Sequence, residues 1–106
     1  MKHLDQARKY ATHAYEHLFV LSQMADAYRT MGNTAEEERL RLEIIRTDSG
    51  NAYAFEAYGH FLNRQKRLDE AIEAFRSAVE IKPYPNVKML LRRTMRKRDS
   101  ILKSRI

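Results

Sequence analysis

"LDEAIEAFRSAVEIKP", residues 68–83, sets one large ring, Phe75, among Ala71, Ala74 and Ala78. Apolar residues at Leu68, Ala71, Ile72, Phe75, Ala78 and Val79 recur at spacings of three and four, the period of one helix face. Asp69 is an acid suited to a helix N-terminus. Pro83 and Pro85 stop the helix. Ala71 and Ala78 are seven residues apart on one stripe, where small side chains let a neighbouring backbone come close. The neighbour stands just upstream. "AYAFEAYGHFLNR", residues 52–64, places Ala54, Phe55, Tyr58, Gly59, Phe61 and Leu62 at helical spacing. Only the polar "QKR" of residues 65–67 separates the two, so the helices run antiparallel. A mid-helix glycine costs about 1 kcal/mol against alanine. Gly59 is accounted for if Phe75 of the following helix fills the space beside it.

Working outward, the composition agrees with helices. Three Gly and two Pro in 106 residues are too few for the turns of an all-β fold. The absence of Cys excludes disulfides, thiol catalysis and Cys-based zinc sites. A small secreted domain often needs such staples, so the expected compartment is the cytoplasm. The N-terminus carries no apolar signal segment, and the longest apolar run, Leu18 to Leu21, is too short to cross a bilayer.

The helix pair of residues 52–85 resembles the tetratricopeptide repeat, a helix–turn–helix unit of 34 residues. With Ala52 as its first residue, Phe55, Gly59, Ala71, Phe75, Ala78 and Pro83 match the signature in type. Tyr58 and Leu62 are apolar substitutes where Leu and Tyr are usual. Lys66 departs from it, because the turn usually has Gly there. Thirty-four residues earlier, Leu21, Ala25, Tyr28 and Gly32 fit the first helix and turn. Glu37 and Arg41 then fall where Ala and an aromatic are usual. Residues 34–50 still read as a helix, with Thr34 and Glu37 as a capping box, Leu40, Ile44 and Ile45 as its apolar face, and Gly50 at its end. This predicts a degenerate repeat over residues 18–51.

The N-terminal residues 1–17 are a helical segment. Leu4, Ala7, Ala11, Ala14, Leu18, Leu21, Ala25 and Tyr28 form an unbroken seam, and no Pro or Gly precedes Gly32. That favours one continuous helix of about 28 residues, roughly 42 Å long. An echo of "LDEAIEAFRSAV" in "LDQARKYATHAY" is the alternative, a truncated repeat. Beyond Pro85, Val87, Leu90, Leu91 and Thr94 form the stripe of a capping helix. Arg98 and Arg105 fall on the same side, so packing is expected to end near Lys97, with the rest projecting. The expected fold is therefore an all-α, short antiparallel helical stack: a single domain of residues 1–106 with a basic C-terminal segment over 86–106.

The resemblance implies a non-catalytic adaptor that holds a peptide or protein on the inner face of the first helices. Carried onto this sequence, those positions are Tyr53, Glu56, His60, Asn63 and Arg64, and in the weaker repeat Phe19, Ser22, Asp26, Arg29 and Thr30. A histidine that touches the ligand makes binding respond to pH between 5 and 8. The Lys and Asn clamp of chaperone-binding members is not reproduced, since Glu56 and His60 occupy two of its positions. Recognition of a chaperone's C-terminal carboxylate is not expected.

Charge supplies the second reading. Residues 86–106 hold eight Lys or Arg against one Asp, whereas residues 1–85 hold 12 basic and 13 acidic residues. The net charge of +6 thus belongs to the C-terminal segment. Arg92, Arg93, Arg96, Lys97 and Arg98, with Lys103 and Arg105, suit nucleic-acid phosphates or an anionic surface. The bland alternative is a solubilising cap, which helical stacks need in any case. No aromatic residue stands here to stack on single-stranded bases.

His13 and His17 share a helix face at metal-ligand spacing, but only His3 or Glu16 is available as a third ligand. Two surface histidines is the preferred reading, with no metal and no cofactor. No Gly-rich phosphate loop or nucleophile elbow occurs, so no enzyme is expected. Helical stacks usually need about three units. A homodimer, or docking into a larger assembly, through the N-terminal seam or the stripe from Val87 would add the missing packing. A monomeric mass by light scattering at micromolar concentration would count against the dimer.

Overall fold

The computed structural model describes residues 2–105, with side chains from residue 16 to 105. Five helices account for the chain: α1 Lys2–Met31, α2 Thr34–Thr47, α3 Ala52–Arg64, α4 Leu68–Ile81 and α5 Pro85–Ser104. No strand occurs among the described residues, so the fold is all-α. The chain forms two compact units, residues 1–44 and 45–106. No helix among the described residues is long and apolar enough to cross a membrane.

In the first unit, α1 runs unbroken from Lys2 to Met31. The seam residues Leu4, Ala7, Ala11 and Ala14 lie outside the described side chains, as do His3 and His13. Gly32, with φ of +76°, ends α1. Its N–H donates to the Arg29 carbonyl at 3.1 Å, and the Asn33 N–H donates to the Tyr28 carbonyl at 2.9 Å. That pair of bonds is a Schellman motif, which requires a left-handed residue. The turn places Asn33, not Thr34, at the cap of α2: Asn33 Oδ1 accepts from the Glu36 N–H at 3.3 Å. The expected Thr34–Glu37 capping box is therefore not formed.

Glu37 is instead buried. Its carboxylate accepts from Arg41 Nε at 2.8 Å, with the two side chains 1% and 7% exposed. Arg41 Nη2 continues to Asp26 Oδ1 of α1 at 3.1 Å. Among the described side chains of this unit, Leu21, Ala25, Leu40 and Ile44 are the buried apolar residues. Phe19, Val20, Met24 and Met31 of α1 remain exposed.

In the second unit, Asn51 caps α3, its Oδ1 accepting from the Ala54 N–H at 3.2 Å. α3 and α4 pack through Phe61, Leu62, Ala71, Ala74, Phe75 and Ala78, with Val87 of α5 completing the cluster. Phe75 has no exposed surface. A Cβ built on Gly59 would lie 2.6 Å from Phe75 Cε1 and 2.8 Å from Cδ1. Carbon atoms prefer about 3.5–4.0 Å. The missing side chain is thus what lets the ring sit against the α3 backbone.

The α3–α4 turn repeats the geometry of the first one. Lys66, φ +61°, stands where Gly32 stood. Its N–H donates to the Asn63 carbonyl at 3.0 Å, and the Arg67 N–H donates to the Leu62 carbonyl at 2.9 Å. Arg67 takes the N-cap of α4 without a side-chain cap bond. Its guanidinium instead grips Glu70, with Nε–Oε1 at 3.1 Å and Nη2–Oε2 at 2.7 Å. That hydrogen bond holds the Glu70 carboxyl below the usual carboxylate range.

α5 begins with Pro85 in its first turn, where a missing N–H costs nothing. Val87 and Thr94 are buried and Leu90 and Leu91 half-buried, so the apolar stripe faces α4. Thr94 Oγ1 donates to the Leu90 carbonyl at 2.8 Å, which satisfies the buried hydroxyl. Packing ends near Lys97, as expected, with residues 99–105 all exposed. Arg98 lies partly buried at the edge, and its Nη1 reaches Asp69 Oδ1 of α4 at 3.3 Å. A long aliphatic stem can lie along apolar surface while its charged end stays wet, which is how this position takes an arginine.

Candidate partner-binding face

Tyr53, Glu56, His60, Asn63 and Arg64 all lie on α3. At 100° per residue they fall within an arc of roughly 100°. The residues on the other side, Ala54, Phe61 and Leu62, are buried. The close approach at Gly59 fixes α3 against α4, and so fixes where this arc points.

The arc divides by chemistry. Tyr53, in the first turn, is 64% exposed. One turn on, Glu56 Oε1 and His60 Nε2 are 3.8 Å apart. The His60 ring meets Phe75 edge-on at 5.4 Å between centroids, so the core orients the imidazole while its side chain stays 48% exposed. At the C-terminal end, Arg64 Cζ stands 5.7 Å from the Phe61 ring centroid, in cation–π range. Asn63 Oδ1 accepts from Lys97 Nζ of α5 at 3.5 Å.

Lys97, one of the candidate phosphate ligands, is exposed and also comes within 3.5 Å of Asn63 on the α3 face. The signal was present in the register. Lys97 follows Asn63 by 34 residues, one repeat, so α5 meets α3 at the equivalent position.

The weaker-repeat positions belong to the first unit. Asp26 is held by Arg41 at 3.1 Å and its main-chain carbonyl accepts from Thr30 Oγ1 at 3.1 Å. Arg29 and Phe19 are exposed and Ser22 is half-buried. Of the basic set, Arg92, Arg93, Arg96 and Lys97 are exposed and Arg98 is half-buried; Lys97 also reaches Asn63 of α3, and Arg98 reaches Asp69 of α4. His17 is exposed, and no three His, Asp or Glu converge as a metal site among the described residues.

Residues 52–85 match the family model described as tetratricopeptide repeat. The match covers α3 and α4, about a third of the chain, and is consistent with a tetratricopeptide-like helix pair there, a kind of unit that generally serves protein–protein interaction. No curated protein matches the chain.

Proposed function

We propose that the chain is a non-catalytic adaptor whose α3 face holds a peptide segment of a partner protein. The observation that supports this reading most directly is the pairing of an exposed aromatic with a fixed polar row on one helix. Tyr53 offers a ring at one end. Glu56 offers an acid in the middle, and Asn63, Arg64 and Lys97 offer donors at the other. An extended segment along α3 would set an apolar side chain on Tyr53, a basic group at Glu56, and backbone carbonyls or an acid at Asn63, Arg64 and Lys97. Side chains alternating along a strand-like peptide suit such a spread of contacts. His60 lies centrally on this face.

The test is selection of a random 12-residue peptide library on the full chain, then titration of the selected peptide against wild type and variants. Tyr53→Ala and Asn63→Ala are each expected to weaken binding at least tenfold. Selected peptides that bind both variants as tightly as wild type would remove the α3 face from consideration.

A further inference from the structure

We propose that the solvent face of α5 binds double-stranded DNA through its phosphates, without reading sequence. This surface differs from the α3 face, so either proposal can fail while the other stands.

Three arginines outside α5 are paired on their own helices or caps. Arg39, Arg67 and Arg76 each have a carboxylate one turn away, with N–O distances of 2.9, 2.7 and 2.8 Å to Glu36, Glu70 and Glu73. These are locally neutralised charges on a solvated surface. Arg29 and Arg46 also lack an ion pair among the described residues, but α5 gathers several such cations on one helix. Lys88, Arg92, Arg93, Arg96 and Lys103 have no ion pair or hydrogen bond among the described residues. The first turn of α5 carries no acid. Asp99, its one acid, is taken by Arg98 at 3.4 Å.

The free cations are also lined up. Lys88, Arg92, Arg96 and Lys103 follow one another at four, four and seven residues, so they share one stripe of the helix. From Lys88 to Lys103 the stripe is roughly 22 Å long. Over that distance one strand of B-DNA passes about six phosphates. Arg93 flanks the stripe. The helix carrying it is anchored rather than loose, by Val87 and Thr94 below, by Arg98 on Asp69 and by Lys97 on Asn63. Two guanidinium groups, each able to take phosphate oxygens through two parallel N–H donors, flanked by two ammonium groups on one fixed helix, are suited to a row of phosphates.

Other polyanions fit less well. A helix that lies on a membrane buries an apolar face among the lipids. On α5 that face, Val87, Leu90 and Leu91, is occupied by the protein core. A single strand is held by stacking on aromatic side chains, and α5 has none.

The experiment is fluorescence anisotropy of a labelled 20-base-pair DNA duplex of arbitrary sequence, titrated with the full chain at 50 and 200 mM salt. Four phosphate contacts give a slope of about −3.6 in log K against log salt, and roughly a 100-fold loss of affinity between those conditions. The double variant Arg92→Gln, Arg96→Gln is expected to bind at least tenfold more weakly and to flatten the slope by about two. Arg39→Gln with Arg76→Gln, on α2 and α4, is expected to change nothing. Far-UV circular dichroism checks that each variant keeps its helices. Absence of binding at 50 mM salt would overturn the proposal. So would equal loss in both double variants, or tighter binding to anionic vesicles or polyglutamate at matched charge.

Discussion

Replacing Gly59 by alanine tests the α3–α4 contact at its closest point. In an exposed helix the change would stabilise by about 1 kcal/mol. Here the new methyl would stand 2.6, 2.8 and 2.9 Å from three atoms of the Phe75 ring. To reach ordinary contact the ring must retreat by roughly 1 Å. It has little room to do so, being fully buried among Phe61, Leu62, Ala71, Ala74 and Ala78. Overpacking of this kind costs about 1–3 kcal/mol, and with three ring atoms struck together the upper value applies. Set against the helix gain, the net loss is about 2 kcal/mol. For a chain of this length that lowers Tm by about 9 °C. The assay is urea and thermal denaturation of the full chain by circular dichroism, with hydrogen exchange of the α3 and α4 amides to locate the loss. The second arm is the same substitution on a Phe75→Leu background, where the ring is gone. There Gly59→Ala is expected to be neutral or stabilising by up to about 1 kcal/mol, a coupling of about 2–3 kcal/mol between the two positions. A rise in Tm on the native background, or an equal effect on both backgrounds, would refute the close-packing account of Gly59.

Lys66 holds a left-handed φ of +61° that costs a side-chain-bearing residue about 1–2 kcal/mol, so Lys66→Gly is expected to stabilise by about 0.5–1 kcal/mol by urea denaturation, despite glycine's greater unfolded freedom. Arg41→Ala leaves Glu37 without its 2.8 Å partner and is expected to cost about 3–5 kcal/mol in the same assay. The triple change Ala25→Gly, Glu37→Ala and Arg41→Phe is expected to equal or exceed wild type in stability. The same change without Ala25→Gly should fall short of it. Glu70, bonded by Arg67, is expected to titrate below an ordinary carboxylate by NMR and to return upward in Arg67→Ala. Because its folded pKa is lowered, its stabilisation is present above the unfolded pKa and is lost as pH falls through the folded one. The pair is solvent-exposed, so the effect on stability is expected to be small.

The helix pair α3–α4 was legible because its periodicity, its short polar turn and its lone glycine all favour one arrangement. The ring beside Gly59 followed from volume alone. The capping of α2 was not legible in the same way. Thr34 and Glu37 have the residue types and spacing of a capping box, but the cap is decided by where α1 ends. Gly32 closes the Schellman turn and delivers Asn33 to the cap, one residue early. On α5, charge counting put Lys97 and Arg98 with the other cations. Their partners, Asn63 and Asp69, lie 34 and 29 residues away and are brought near only by the packing of α5 against the α3–α4 pair.

Glu37 and Arg41 are the positions at which residues 18–51 depart most from the pattern of residues 52–85. Shifted by one 34-residue period, Ala71 becomes Glu37 and Phe75 becomes Arg41. Gly59 becomes Ala25, His60 becomes Asp26 and Lys66 becomes Gly32. Each later contact has a counterpart in the first unit. Where the Phe75 ring touches His60, the Arg41 guanidinium bonds Asp26. Where the turn residue is Lys66 with positive φ, it is Gly32 with positive φ. Where the small residue under the ring is Gly59, the residue 34 positions earlier is the fully buried Ala25. Hydrophobic pattern reading assigns Glu and Arg to the surface, since charges are rarely buried unless they are paired. Here they are paired, across one turn and on to α1. At the two positions that correspond to Ala71 and Phe75 one period later, a buried ion pair thus stands where the second unit has a methyl and a ring.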